Sequence, residues 1–130
     1  MNDFFNKVKV LFASFPYHLF SKATEATYQG MLLAILKGMC IDVHAEHLTN
    51  LGRIDLVLEL PETSYILECK LDKSPSNALE QIEEKKYFER YTQKGKTIGL
   101  VGINFSSEER NILDWKGKLL SSAGEILKEL

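Results

Sequence analysis

Cysteine is scarce in this sequence, which contains two cysteines, Cys40 and Cys69, among 130 residues. A secreted protein held together by disulfide bonds would carry more cysteines in a shorter chain. We therefore expect both thiols to be reduced and buried, in a protein of the cytoplasm. A chain of this length is expected to form one domain that buries about two-thirds of its unfolded surface, so it needs no disulfide or metal to fold.

Long apolar segments are also missing. Lys7 and Lys9 interrupt the apolar stretch near the N-terminus, so no run of about 20 apolar residues is available to cross a membrane. The same lysines interrupt the apolar core that a signal peptide would need. The chain contains no internal repeat and no low-complexity tract. We therefore expect no association with a membrane.

Positive charge is not in excess either. The net charge is −2 and the isoelectric point is near 5.9, which argues against a surface coated with positive charge for nucleic acid. The charge is unevenly distributed, because residues 70–96 contain seven lysines and arginines against five acids. This segment is either a helix with solvated ion pairs or a weakly basic rim that faces a polyanion.

Apolar residues at helical spacing predict three helices. Pro16 ends the first helix, and Gly38 is the expected C-cap of the second. Ser74 and Pro75 suit the N-cap and the first helical position of the third. The predicted helices span residues 3–15, 22–37 and 74–91.

Alternating and continuous apolar segments predict the strands. Residues 61–63 connect the second and third strands as a hairpin. The tail is expected to form an edge strand over residues 112–120 and a short terminal helix over 121–130. The other predicted strands span residues 39–49, 53–60, 64–71 and 97–106.

The order of these elements predicts an α/β fold. Three strands in a meander, followed by a helix and a further strand, require a mixed sheet, because the helical crossover places the last strand parallel to an earlier one. We predict four to five strands flanked by helices in a single domain, residues 1–130. The domain comprises an N-terminal helix (3–15), a core (about 22–106) and a C-terminal extension (107–130).

Alternation along the two central strands places polar side chains on one face. Asp55 alternates with leucines and isoleucines, and Glu68 and Lys70 flank Cys69. If the uniformly apolar faces pack on the core, then Asp55, Glu68 and Lys70 share the opposite face. This face assignment requires an even number of loop residues. A four-residue loop pairs Asp55 with either Glu68 or Lys70 and leaves the third within about 8 Å.

Two carboxylates at this separation repel each other unless a cation or a shared proton lies between them. Mg²⁺ suits such a pair, because it binds one or two carboxylates together with water and a substrate phosphate. The ion would lower the pKa of a bound water, and a neighbouring lysine would stabilise charge in the transition state. The spacing alone leaves open a surface ion pair between Lys70 and one of the acids.

The segment Gly52-Arg53-Ile54-Asp55, then twelve intervening residues and Glu68-Cys69-Lys70, resembles the Asp…Glu-Xaa-Lys signature of the PD-(D/E)XK nuclease superfamily. The wider pattern is similar to one branch, usually found at the C-terminal end of bacterial proteins with an ATPase-like N-terminal domain. The resemblance covers roughly residues 10–116 and implies a restriction-endonuclease-like α-β-β-β-α-β core. The further segments that carry it are Phe15-Pro16-Tyr17, the helix of residues 25–36, Glu46, Ala78-Leu79, Gln81-Ile82, Tyr87 and residues 101–105.

The resemblance also implies roles for individual residues. Asp55 and Glu68 would bind Mg²⁺ or Mn²⁺ together with the backbone carbonyl of Cys69, and Lys70 would be the catalytic lysine. Glu25 would complete the site through a water.

Residues on the third helix add auxiliary and substrate contacts to this prediction. Gln81 would lie beside the phosphate, while Lys85 and Tyr87, with Arg53 on a strand, would contact the substrate. Two alternatives stay open, because Gln81 and Lys85 have the spacing of a helix-surface pair and Tyr87 could pack against Tyr91.

Taken with the resemblance, these residues predict a metal-dependent nuclease that hydrolyses phosphodiester bonds in DNA with metal-activated water. An alternative is an inactive nuclease-like fold that binds nucleic acid or protein. A metal-dependent hydrolase of another phosphate compound is a third hypothesis. The expected partner is nucleic acid, and a homodimer and an ATPase-like protein partner remain open.

Overall fold

The structure is a computed structural model that describes residues 2–48, 53–85 and 95–130, except for the side chains of residues 46–48, 53–55, 84 and 85. These residues form three α-helices and six β-strands. The helices are α1 (Asn2–Ala13), α2 (Glu25–Gly38) and α3 (Pro75–Lys85). The strands are β1 (Val43–Leu48), β2 (Arg53–Glu59), β3 (Thr63–Leu71), β4 (Thr97–Ser106), β5 (Asn111–Leu120) and β6 (Ile126–Glu129).

All six described strands form one sheet, in which spatial order follows chain order. Strands β3 and β4 are parallel and α3 connects them, while the other neighbouring pairs are antiparallel. The mixed sheet and its helical crossover therefore confirm the predicted fold class.

The predicted strand number and the predicted terminal helix are wrong. Within the described residues the sheet has six strands, because residues 126–129 pair with β5. A turn after β5 reverses the chain, with the Ser121 backbone N–H donating to the Glu125 carbonyl at 2.7 Å and Gly124 at a φ of 89°. Strand β5 is therefore an inner strand, not the predicted edge.

Helices cover both faces of the sheet. On one face, Phe5 of α1 and Leu32 of α2 belong to an apolar cluster with Leu67 of β3. On the other, Ile82 of α3 packs in a second cluster with Ile66 of β3. Among the described residues, no helix is long and apolar enough to cross a membrane.

The start of α3 agrees with the prediction, and the end of α2 does not. The Ser74 hydroxyl accepts a hydrogen bond from the Asn77 backbone N–H at 3.0 Å, as expected of an N-cap. Gly38 is still helical, and Cys40 adopts the left-handed φ of 61° in the turn that leaves α2. Because that turn is at the surface, Cys40 is exposed, which corrects the expectation of two buried thiols. Residues 86–91 of the predicted third helix lie outside the described residues.

Helix α3 approaches the sheet most closely at Gly102 of β4. A Cβ atom at this position would lie 2.3 Å from the Pro75 carbonyl oxygen and 2.9 Å from the Ala78 Cβ. Because a backbone oxygen cannot move without the helix, Gly102→Ala is expected to lower the free energy of unfolding by about 1–3 kcal/mol. Urea denaturation measures this loss.

Gly99→Ala is the matched control in the same strand. Its Cβ would lie 2.3 Å from a ring carbon of Tyr65, a side chain that can rotate away. We expect a smaller loss of stability at Gly99 than at Gly102. Equal losses of stability in the two variants would contradict the explanation that the backbone of α3 requires glycine at position 102.

Candidate active site

The hairpin of β2 and β3 brings the predicted acids to one level of the sheet. Leu56 pairs with Leu67, so the next position along this register places the backbone of Asp55 opposite Glu68. The Leu60 backbone N–H donates to the Thr63 carbonyl at 3.0 Å and closes a two-residue turn, because Thr63 already belongs to β3. The loop is therefore shorter than predicted, although its number of residues is even, as the face assignment requires. Of the two pairings that the sequence left open, the register favours Asp55 with Glu68.

The same level continues across the neighbouring strands. Glu46 of β1 pairs with Asp55, and Gly102 of β4 pairs with Glu68. The acidic positions 46, 55 and 68 therefore form a row across three adjacent strands, and the next position in this row is Gly102, which α3 covers. The side chains of Glu46 and Asp55 lie outside the described residues, so only their backbone positions are assigned.

Lys70 lies between two carboxylates. Its Nζ is 3.7 Å from Oε1 of Glu68 and 3.8 Å from Oε1 of Glu25. The Glu25 Oε2 also accepts a hydrogen bond from the Leu71 backbone N–H at 3.4 Å. Glu25 is the first residue of α2, where the peptide dipoles of a helix favour a negative charge. The start of α2 and the end of β3 thus bring together Glu25, Glu68 and Lys70.

The burial of Glu68 and Lys70 contradicts a surface ion pair between these two residues. Glu68 is 4% exposed and Lys70 is 5% exposed. The face that carries them is covered, since Ile66 on the same face packs beneath α3. Buried charges are costly and strands disfavour glutamate and lysine, so packing alone does not explain these residues.

Cys69 faces the opposite side, as predicted. Its side chain is 2% exposed and belongs to the apolar cluster beneath α1 and α2. The alternation along β3 is thereby confirmed, because Cys69 and its neighbours Glu68 and Lys70 point to opposite faces. The role of the Cys69 carbonyl as a metal ligand remains a prediction.

Helix α3 contributes two amide side chains. The Gln81 Oε1 and the Asn77 Oδ1 are both buried, and neither has a hydrogen-bond donor among the residues that the structure describes. Gln81 was predicted as an auxiliary residue. Asn77 was not predicted. It lies one helical turn before Gln81, and this spacing in the sequence could have identified it.

The connection from β3 to α3 is tied to the end of β4. The Lys73 backbone N–H donates to Oδ1 of the buried Asn104 at 2.9 Å. The backbone N–H and hydroxyl of Ser107 donate to the Asp72 carboxylate at 2.9 and 2.5 Å. The hydroxyl, and after it the backbone N–H, hold the pKa of Asp72 below its ordinary value. Sequence reasoning missed these residues, which fix the chain between Lys70 and Gln81.

Other predicted residues are placed only in part. Arg53 lies at the start of β2 and Lys85 at the last described position of α3, with side chains outside the described residues. Tyr87 lies outside them altogether. Substrate contact by these three residues stays a prediction.

The donor chemistry of the site suits a hard divalent cation. Carboxylates at positions 55 and 68 and a backbone carbonyl at position 69 are the oxygen ligands that Mg²⁺ and Mn²⁺ prefer. No group of three or more histidine, cysteine, aspartate or glutamate side chains that could hold a metal occurs among the described side chains, a set that leaves out Asp55.

Comparison with known proteins identifies the family. The family model of the PD-(D/E)XK nuclease superfamily matches residues 23–115. A curated protein of Azotobacter chroococcum mcd 1, named "Uncharacterized protein in vnfD 5'region", is 30% identical over 108 residues, which cover 78% of this chain and 21% of the relative. The chain thus spans about a fifth of the length of that relative. Because the family match covers more than half of the chain and includes the cluster around Lys70, the chain belongs to the PD-(D/E)XK nuclease superfamily.

Proposed function

We propose that this chain is a metal-dependent nuclease that hydrolyses phosphodiester bonds in DNA with metal-activated water. The buried pair of Glu68 and Lys70, with Asp55 at the facing position of β2, carries the proposal. These three residues fit the Asp…Glu-Xaa-Lys pattern in the sequence and lie within residues 23–115, which match the family, and two of them are buried in the structure.

The residues of the site divide between holding a metal ion and stabilising charge. Asp55 and Glu68, with the Cys69 carbonyl, would hold Mg²⁺ or Mn²⁺, which when bound lowers the pKa of a water and neutralises charge on the phosphate. Lys70 lies beside Glu68 at 3.7 Å, so its ammonium group is next to the position where a phosphate would meet the metal ligands. Its charge would stabilise the negative charge that develops on the phosphate oxygens.

Burial strengthens these electrostatic effects. Lys70 and Glu68 are both shielded from water, and a charge acts more strongly in a medium of lower dielectric constant. Glu25 balances the charge of Lys70 from the opposite side, at 3.8 Å. Its hydrogen bond to the Leu71 backbone holds α2 against the end of β3. Glu25 would therefore fix the direction in which the Lys70 ammonium points.

Nicking of supercoiled plasmid DNA tests the proposal. We expect cleavage that needs Mg²⁺ or Mn²⁺, stops with a chelator, and is lost in Asp55→Ala, Glu68→Ala and Lys70→Ala alike. Circular dichroism of each variant checks that it is folded. Cleavage that persists in all three variants would come from a contaminating enzyme and would refute the assignment.

A binding module without turnover is the second candidate. The net charge of −2 and the small size favour it, because they leave little basic surface for a long duplex. Under this hypothesis the wild type would bind DNA or a protein and cut nothing. Binding to DNA at the proposed site should weaken steeply with salt, because each neutralised phosphate releases counterions. A fluorescence anisotropy titration at several salt concentrations measures this dependence.

A further inference from the structure

Two buried amide oxygens lie one turn apart on α3. The Oδ1 of Asn77 and the Oε1 of Gln81 are both shielded from solvent, and no described residue donates a hydrogen bond to either. Positions i and i+4 of a helix are neighbours on its surface, so the two side chains share one flank of α3. The two acceptors therefore face a common region.

That flank faces β3 and not β5. The opposite flank of α3 borders a cleft of about 440 Å³. The α3 residues that line this cleft include Ser76, Glu80 and Glu83. Lys116 and Lys118 of β5 form the other side of that cleft. At 3.6 residues per turn, Asn77 and Gln81 lie on the far side of α3 from this cleft. Since α3 sits over Gly102, whose neighbour on β3 is Glu68, this far side borders the proposed active site.

A buried carbonyl oxygen without a donor carries a free-energy cost, because it has given up its hydrogen bonds to water. Asparagine inside a helix adds to the cost, since alanine is the better helix former. Two such oxygens side by side indicate a group that brings its own hydrogens. Phosphodiester oxygens have none, whereas a water molecule has two.

We propose that Asn77 is a positioning residue that, together with Gln81, holds a water molecule on the flank of α3 that borders the proposed active site. A water whose two hydrogens are held by fixed acceptors presents its lone pair in one direction. The role of this water as the nucleophile rests on the proposed function, whereas the presence of the water does not. The water site itself can be tested without turnover.

Asn77→Ala tests the proposal by separating stability from activity. Because no described residue donates to the Asn77 carbonyl, we expect an unchanged or higher melting temperature. We expect kcat to fall about 10- to 100-fold, with KM for DNA and the metal-induced shift in melting temperature unchanged. Asn77→Asp keeps an oxygen acceptor, so its kcat should exceed that of Asn77→Ala.

Glu80→Ala is the matched control. Glu80 is exposed on α3 and lines the cleft on the β5 side, so both the melting temperature and the kcat of this variant should stay close to those of the wild type. Two results would overturn the proposal. A melting temperature of Asn77→Ala that falls in step with activity would indicate a structural role. An Asn77→Asp variant worse than Asn77→Ala, with a raised KM, would indicate that the amide donates to phosphate.

A crystal structure separates this inference from the proposed function. A water within about 3.2 Å of both amide oxygens, lost in Asn77→Ala, would support the water site even if the wild type cuts no DNA. A water at this position in a protein that cuts no DNA would refute the proposed nuclease activity but not the water site. A cleaving wild type with no water at this position would refute the water site and leave the nuclease intact.

Discussion

Lys70→Met is expected to lower the rate of DNA cleavage by at least about 100-fold, the usual scale for losing one electrostatic stabiliser of a transition state. Methionine keeps most of the side-chain volume, so packing between β3 and α3 should survive. Both carboxylates remain, and the nearest positive charge is gone. Metal affinity is therefore expected to be retained or increased, and the defect should appear in kcat.

The same substitution is expected to destabilise the protein without metal. Lys70 is 3.7 Å from Oε1 of the buried Glu68, and breaking a buried pair by removing one partner costs about 3–5 kcal/mol. A solvated surface pair would cost less than about 1 kcal/mol. The double variant Lys70→Met/Glu68→Gln removes both charges, so it should recover much of the stability and none of the activity.

Lys96→Met is the matched control for Lys70→Met. Lys96 also pairs with a strand glutamate, at 2.7 Å from Oε2 of Glu59, with its side chain 22% exposed. That pair lies at the opposite end of β2 from Asp55, so its loss should lower stability and leave kcat unchanged. Single-turnover kinetics and urea denaturation give the two measurements. If Lys70→Met cleaves DNA as fast as Lys96→Met does, Lys70 has no role in the cleavage mechanism.

The strands around the site could be predicted closely because their signals are local. The period of two along β3 assigned Cys69 to one face and Glu68 and Lys70 to the other, and the structure agrees. The predicted fourth strand coincides with β4, Thr97–Ser106, because a continuous apolar run suits a strand covered on both faces. Such patterns depend on a few neighbouring residues and need no knowledge of the tertiary structure.

The features that sequence reasoning missed depend on long-range packing. Residues 126–129 became a strand because β5 offered an unpaired edge, and nothing local in that segment indicates a partner. The burial of Glu68 and Lys70 follows from the placement of α3 over Gly102. Alternation identified their shared face but not the helix that covers it.

The residues of the site also divide into those that local sequence patterns predict and those that long-range packing brings together. The expected position of Asp55 opposite Glu68 comes from extending the hairpin register by one position beyond Leu56 and Leu67, because the sequence allowed Lys70 as well. Glu25 was assigned only through the family resemblance, since 42 residues lie between it and Glu68 in the chain. Its distance of 3.8 Å from Lys70 results from how α2 packs on the sheet.

Glu68→Gln is expected to remove most of the stabilisation of the protein by Mn²⁺. A ligand that binds only the folded state at 100 times its Kd adds about 2.7 kcal/mol to the free energy of unfolding. For a chain of this size, that corresponds to a rise in melting temperature of roughly 10 °C. Replacing one of two carboxylate ligands by an amide removes a charge from the site, so most of this rise should disappear.

Glu59→Gln supplies the control for this experiment. Glu59 accepts hydrogen bonds from Ser64 and Lys96 at 2.7 Å each, so its loss should lower the melting temperature without metal. Its position, four residues from Asp55 along β2, leaves the metal ligands in place. The rise on adding Mn²⁺ should therefore be as large in Glu59→Gln as in the wild type.

The comparison of the two variants separates a metal site from a general effect of removing a buried carboxylate. Differential scanning fluorimetry over a Mn²⁺ titration gives both the starting temperature and the rise. Equal rises in Glu68→Gln and the wild type would exclude Glu68 as a ligand, whatever the cleavage assay shows. A wild type whose melting temperature is indifferent to millimolar Mn²⁺ would count against a metal at this site and favour the binding module.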